Sequence, residues 1–227
     1  MISYPHGVAA AVQVEIWSDV VCPWCYIGKR RFEKAVASFG HPVEVVWRSY
    51  ELNPGAPRVR DGSSVERIAR KYGITVEAAA AQYDRITDLA RAEGLDYHLE
   101  RARWGSSFDA HRLVHLARET GLADAVKERF LAAYLEQGVA IGLPEELAPL
   151  AVAAGLDADA VDAVLAGDTY GEAVRADEAR AVELGVTGVP FFVIDGRFAI
   201  PGAQDPETIL AVLERARQRR TDDDRAG

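Results

Sequence analysis

The stretch EIWSDVVCPWCYIGKRRFE, from Glu15 to Glu33, decides how the chain is read. Its first residues finish an apolar alternation that begins at Val12, the pattern of a strand. Its last residues continue into a helical pattern that runs through Phe32 and Val36 to about Ser38. The chain's two cysteines, Cys22 and Cys25, stand at the junction, separated by Pro23 and Trp24. Closing so short a loop constrains an unfolded chain very little, so a stabilising bridge gains little from this spacing and a dithiol redox site uses it. Pro23 suits the first helical turn, where its missing N–H costs nothing. The free amides of that turn are expected to face the Cys22 sulfur and favour its thiolate. Cys22 is thus the expected nucleophile, and Cys25, one turn further in, is placed to resolve a mixed disulfide.

Working outward, Val43 to Tyr50 (VEVVWRSY) is rich in β-branched and aromatic residues and reads as the next strand. The result is a β–α–β unit with the cysteines at its first strand-to-helix turn, the end of an open α/β sheet where ligands bind. After a loop from Glu51 to Gly62, the pattern is helical for about a hundred residues. Ser63 and Glu66 form a capping box, and Thr75 caps an Ala-rich segment that ends near Gly94. Further helices are expected at about Phe108 to Thr120, Leu122 to Gln137, Glu145 to Ala154 and Ala158 to Ala166. A helix from Tyr170 to Leu184 follows, then strands Val189 to Ile194 and Arg197 to Ile200, joined by Asp195-Gly196, a dipeptide suited to a type I′ turn. Asp205 and Pro206 open a last helix. The expected organisation is α/β, with a discontinuous sheet domain over 11–62 and 170–220 and an inserted all-helical domain over 63–169.

Composition narrows the function. Lys and Arg number 26 against 35 Asp and Glu, a net charge of −9, and no segment interleaves basic residues with aromatics, so nucleic acid is not an expected partner. The basic run Arg215 to Arg220 reads as a solvated helix end that compensates the dipole. No apolar run approaches the length of a membrane span, and MISYPHGVAAA lacks the pattern of a secretory leader, so a cytoplasmic location is expected. There a CxxC pair is kept mostly reduced, which favours a catalytic or metal-binding role over a structural bridge. Nothing in the pattern specifies an oligomeric state.

On three segments the chain resembles the DsbA-like family of thioredoxin-fold proteins, in particular cytosolic FrnE-type dithiol-disulfide oxidoreductases. These are Glu15 to Glu33, SSFDAHRLVHLA at Ser106 to Ala117, and GVTGVPFFVIDGRFAIPGAQ at Gly185 to Gln204. The resemblance implies a thioredoxin-like fold and a cis bond between Val189 and Pro190 facing the CxxC pair, which exposes backbone to pair with an extended substrate segment. It implies thiol–disulfide oxidoreductase or isomerase activity with no tightly bound cofactor. The substrate would be a protein or small-molecule disulfide, with glutathione or another thiol reductant as co-substrate. The chain departs from relatives in three ways. Pro-Trp replaces the Pro-His of periplasmic DsbA proteins, implying a less oxidising couple. A second, C-terminal cysteine pair found in some FrnE-type proteins is missing, and Ser106 stands where relatives often have Asn.

Other residues carry competing readings. Trp24 is either a platform for an apolar substrate or a cap over the sulfurs, and Asn53 either a substrate contact or a turn former. Asp19 either perturbs the thiol or terminates the strand, and His111 is either a surface or satisfied core residue of its helix or a substrate contact near the active site. Cys22 and Cys25 with His111 and His115 imitate the ligand spacing of a zinc site, but the halves are far apart and the histidines fall inside an amphipathic helix, so no metal is assigned. A glutathione-dependent isomerase or transferase of the kappa-like type, similar to 2-hydroxychromene-2-carboxylate isomerases, is the alternative enzyme. A non-catalytic zinc-binding or chaperone-like protein is the alternative outside enzymes.

Overall fold

The computed structural model describes residues 11–60 and 62–226, so the N-terminal stretch MISYPHGVAAA lies outside them except for Ala11. Four strands form one sheet in the order β2-β1-β3-β4. They are β1 (Val12–Ser18), β2 (Val43–Ser49), β3 (Phe191–Ile194) and β4 (Phe198–Pro201). β2 runs parallel to β1, while β3 is antiparallel to both β1 and β4. The central β1 is covered on both faces, which is why its residues are nearly all buried. Val14 and Ile16 face a core shared with helices α1 (Pro23–Phe39) and α9 (Pro206–Ala226), where Phe32 stacks on Phe192 with ring centres 5.6 Å apart. Trp17 faces the other way, packing with Ala181 of α8 (Gly171–Glu183) and donating its indole N–H to the Asp177 carbonyl at 2.9 Å.

Between β2 and α8 the described chain is helical: α2 (Ser64–Tyr72), α3 (Val76–Ala92), a 3₁₀ turn (Leu99–Arg101), α4 (Phe108–Glu119), α5 (Ala123–Leu135), α6 (Pro144–Ala153) and α7 (Ala158–Ala166). Ser63 and Thr75 cap α2 and α3 through the Glu66 and Ala78 amides. The apolar core continues from the sheet into this block through Leu113, Phe130 and Leu131. Polar ties join it to α1: Tyr26 donates to Glu128 at 2.6 Å, Lys29 pairs with Glu128 at 2.8 Å, and Arg31 with Glu93 at 2.7 Å.

Two details differ from the sequence reading. β3 begins at Phe191 rather than Val189, since Pro190 has no N–H for the ladder and its bond to Val189 is cis. The run Arg215 to Arg220 does not end a helix, because α9 continues to Ala226. Arg220 instead grips both Asp195 carboxylate oxygens and the Ala11 carbonyl, fastening the β3–β4 turn to the start of β1. That turn has positive φ at Asp195 (50°) and Gly196 (65°), as a type I′ turn requires.

Candidate active site

The two sulfurs sit where β1 gives way to α1, and Cys22 is the residue that heads the helix. The helix-dipole expectation is only half met. The Cys25 amide bonds the Cys22 carbonyl at 3.1 Å, and no first-turn amide caps the Cys22 side chain. Instead the Cys22 thiol donates to the Val189 carbonyl across the site, at 3.6 Å. Pro190 is held against α1 at Gly28, where a Cβ would stand 2.7 Å from Pro190 Cγ, so only glycine lets the helix approach this closely. From the helical block, Tyr97 donates to the Pro23 carbonyl at 2.6 Å and stacks on Tyr26.

Beneath the sulfurs lies a buried polar layer. Lys127 of α5 is fully buried, donates to the Ser18 carbonyl at 2.9 Å and rides over the Trp47 ring. Burial pulls its pKa down to about 8, against the opposing pull of Cys25, Asp19 and Cys22. Asp19 is equally buried; one carboxylate oxygen accepts the Leu52 amide at 2.8 Å, and the other lies 3.4 Å from His111 Nε2. Burial opposes its ionisation, but His111, the Leu52 amide and Ser107 outweigh that and hold its pKa below the ordinary value. Burial in turn keeps His111 neutral by lowering its pKa.

The thiols titrate as a pair. The hydrogen bond to Cys25, then burial, pushes Cys22 well up. Burial also opposes ionisation of Cys25, yet Cys22, the Ser18 hydroxyl and the Lys127 charge bring it below the ordinary thiol value. Ser18 and Lys127 favour charge beneath Cys25, while at the helix end the Cys25 amide favours it on Cys22.

A cavity of about 1050 Å³ opens over the pair, between the CPWC turn and α2–α3. Cys22 lines it and Cys25 does not. Pro23, Trp24, Asn53 and Val189, all candidate contacts from sequence, line it as well. Pro190 is buried behind them. His111 corrects the sequence reading: at 1% exposure it faces Asp19 inside the protein and does not reach the cavity. Its helix packs that face inward, so a substrate has no route to it.

His115 is likewise turned away from the sulfurs. Its Nε2 lies 3.1 Å from both Ser49 Oγ and Asp177 Oδ2, and since one nitrogen serves both, this is no nucleophilic triad. Among the described residues no group of three or more His, Cys, Asp or Glu is arranged to hold a metal ion.

Sequence reading missed Lys127 and Tyr97. A lysine is normally exposed, but Lys127 stands three residues before Phe130 and four before Leu131, on the apolar stripe of α5, and that position was the available signal. Tyr97 lies in an irregular segment, where periodicity says nothing.

A sheet of this order with a CxxC turn heading its first helix and a cis proline opposite defines a thioredoxin-fold dithiol protein. The model of the DSBA-like thioredoxin domain matches residues 13–214, and the chain belongs to that family, one of disulfide oxidoreductases and isomerases. Among solved structures, a probable DsbA oxidoreductase from Streptomyces coelicolor is 46% identical, with TM-score 0.86 over 90% of this chain and 89% of its own. The protein YwbO of Bacillus subtilis (strain 168), itself uncharacterized, is 31% identical over 85% of this chain and 90% of its own. A 2-hydroxychromene-2-carboxylate isomerase shares the fold at TM-score 0.65 and 17% identity, over 92% of this chain and 98% of its own.

Proposed function

We propose that the chain is a thiol–disulfide oxidoreductase of the FrnE type, working in the cytoplasm without a tightly bound cofactor. Cys22 and Cys25 act as catalytic thiols, with Pro190 shaping the wall behind Val189. The observation that carries this reading is that only Cys22 opens on the cavity while Cys25 waits behind it. As substrate enters, the proton shared by the pair passes to Cys25, and the Cys22 thiolate attacks one sulfur of the disulfide. The mixed disulfide forms and the other half leaves as a thiolate. Cys25 then gives its proton to the departing thiolate, the Lys127 charge favouring the thiolate left behind, and attacks the Cys22 sulfur, releasing the second half as a thiolate that takes a proton from water and leaving the Cys22–Cys25 disulfide. A thiol reductant restores the dithiol. Pro23, Trp24, Asn53 and Val189 contact the substrate.

The intact second sulfur favours this reading over the glutathione-dependent isomerase, since an isomerase needs no resolving thiol. Cys25→Ser tests it. Attack survives but internal release does not, so the variant should accumulate adducts with disulfide substrates that dithiothreitol removes, and Cys22→Ser should lose insulin-disulfide reduction. Wild-type turnover of a non-disulfide substrate with glutathione by Cys25→Ser would replace the reading with the isomerase.

A further inference from the structure

The cavity over Cys22 has a composition that redox chemistry alone does not call for. The protein carries a net charge of −9, yet the described residues lining this cavity include Arg60, Arg67, Arg70 and Lys71 and not one Asp or Glu. Arg60, Arg70 and Lys71 are exposed at the α2 side and have no ion pair among the described residues. Arg67 lies over the Trp104 ring at 5.0 Å. Half-buried Trp104 and Tyr83 face the same space, and Trp24, 39% exposed, stands beside the sulfur. Cations gathered in one cleft of an acidic protein concentrate field there and draw anions in. Aromatic walls next to them suit a flat or apolar body. The cavity is the size of those that enclose a small ligand. Cys22 itself is only 4% exposed and lines the cavity, so a small disulfide entering the cavity reaches it more readily than one on a rigid folded surface.

We propose that the substrate is a low-molecular-weight disulfide with an apolar or aromatic body and at least one carboxylate, its anionic end seated on Arg60, Arg70 and Lys71 and its sulfur delivered to Cys22. The proposal rests on the dithiol reading above. The enzyme's two thiols are oxidised to the Cys22–Cys25 disulfide, and the substrate R–S–S–R is reduced to two R–SH that take up the two thiol protons. An external thiol supplies the electrons for the next cycle.

The test measures adduct formation on Cys25→Ser with two aromatic disulfides of opposite character, dianionic dithiobis(nitrobenzoate) and neutral dithiodipyridine, each rate divided by that of a free thiol with the same probe. The anionic probe should be favoured, and the preference should shrink as salt is raised. Arg70→Gln with Lys71→Gln, both at exposed positions, should cut the ratio of the two rates about three- to tenfold, and Arg60→Gln alone should cut it less. If neither probe labels Cys25→Ser, the dithiol reading itself fails. If both label it but the ratio ignores salt and all three substitutions, the anion site is overturned while the dithiol reading stands. If the substitutions impair insulin reduction while the probe ratio holds, the cavity seats a polypeptide and the proposal is likewise overturned.

Discussion

Lys127→Met separates what the buried amine costs the fold from what it does for the sulfurs. The ammonium is wholly buried, with the Ser18 carbonyl as its hydrogen-bond partner and the Trp47 ring alongside, and it faces Cys25, Asp19 and Cys22. Burial moves its pKa from 10.5 to about 8. At pH 7 the amine is charged in both states, and that displacement costs the folded protein about 3 kcal/mol. The unfolded chain holds the extra proton between pH 8 and 10.5, so stability attributable to this group rises with pH through that window, leaving a cost of about 1.5 kcal/mol at pH 9.5. Methionine retains most of the stem's packing but strands the Ser18 carbonyl, which costs about 1–3 kcal/mol. The variant should therefore be as stable as the wild type at pH 7, or more so by up to about 2 kcal/mol. Paired urea titrations at pH 7 and 9.5 cancel the tyrosine ionisations common to both proteins, and the wild type should gain at least about 2 kcal/mol on the variant between them, since Cys25 ionises more readily beside Lys127. Chemistry should move the other way: without the positive charge the Cys25 pKa rises, and release of a mixed disulfide slows about three- to fourfold for each pKa unit, the loss of thiolate being partly offset by its greater nucleophilicity. A variant that loses several kcal/mol at pH 7, with a gap that does not change by pH 9.5, would refute the reasoning and make the ammonium a net stabilising element.

Two further substitutions probe the frame around the site. Gly28→Ala places a Cβ 2.7 Å from Pro190 Cγ, so helix and loop must part; a loss of about 1–3 kcal/mol in urea unfolding is expected, with slower adduct formation at Cys22 as the Val189 carbonyl moves, and unchanged values for both would show that the contact relaxes freely. Arg48 bonds Glu15 and pairs with Asp177 at 2.9 Å, both carboxylates buried, so Arg48→Met should cost at least about 2 kcal/mol of stability, less than a fully stranded buried charge because Arg180 and His115 remain as partners; a loss within about 0.5 kcal/mol in urea unfolding would contradict it.

The sequence by itself determined the element order and the place of the sulfurs, because those depend on local rules. The alternation from Val12, the capping residues Ser63 and Thr75, the Asp195-Gly196 turn and Pro23 beside Cys22 each act over a few residues, and each is where periodicity and backbone chemistry put it. Cys22, Trp24, Asn53 and Val189, which line one cavity, stand out in the chain as candidates because they belong to two compact motifs and one loop. Only the tertiary structure decided which sulfur is served by which charge. Lys127 comes from a helix more than a hundred residues downstream, and its buried charge joins Cys22 and Ser18 in favouring ionisation of Cys25 in a way no local pattern records. His111 shows the converse: its motif suggested a site residue, but packing of α4 turns it onto Asp19. The cationic cavity is likewise a product of folding, since Arg60, Arg70 and Lys71 are ordinary surface residues in sequence and line the same cavity as Cys22 only in the folded chain. Charge and burial at such a site depend on contacts between distant segments, which the order of residues does not state.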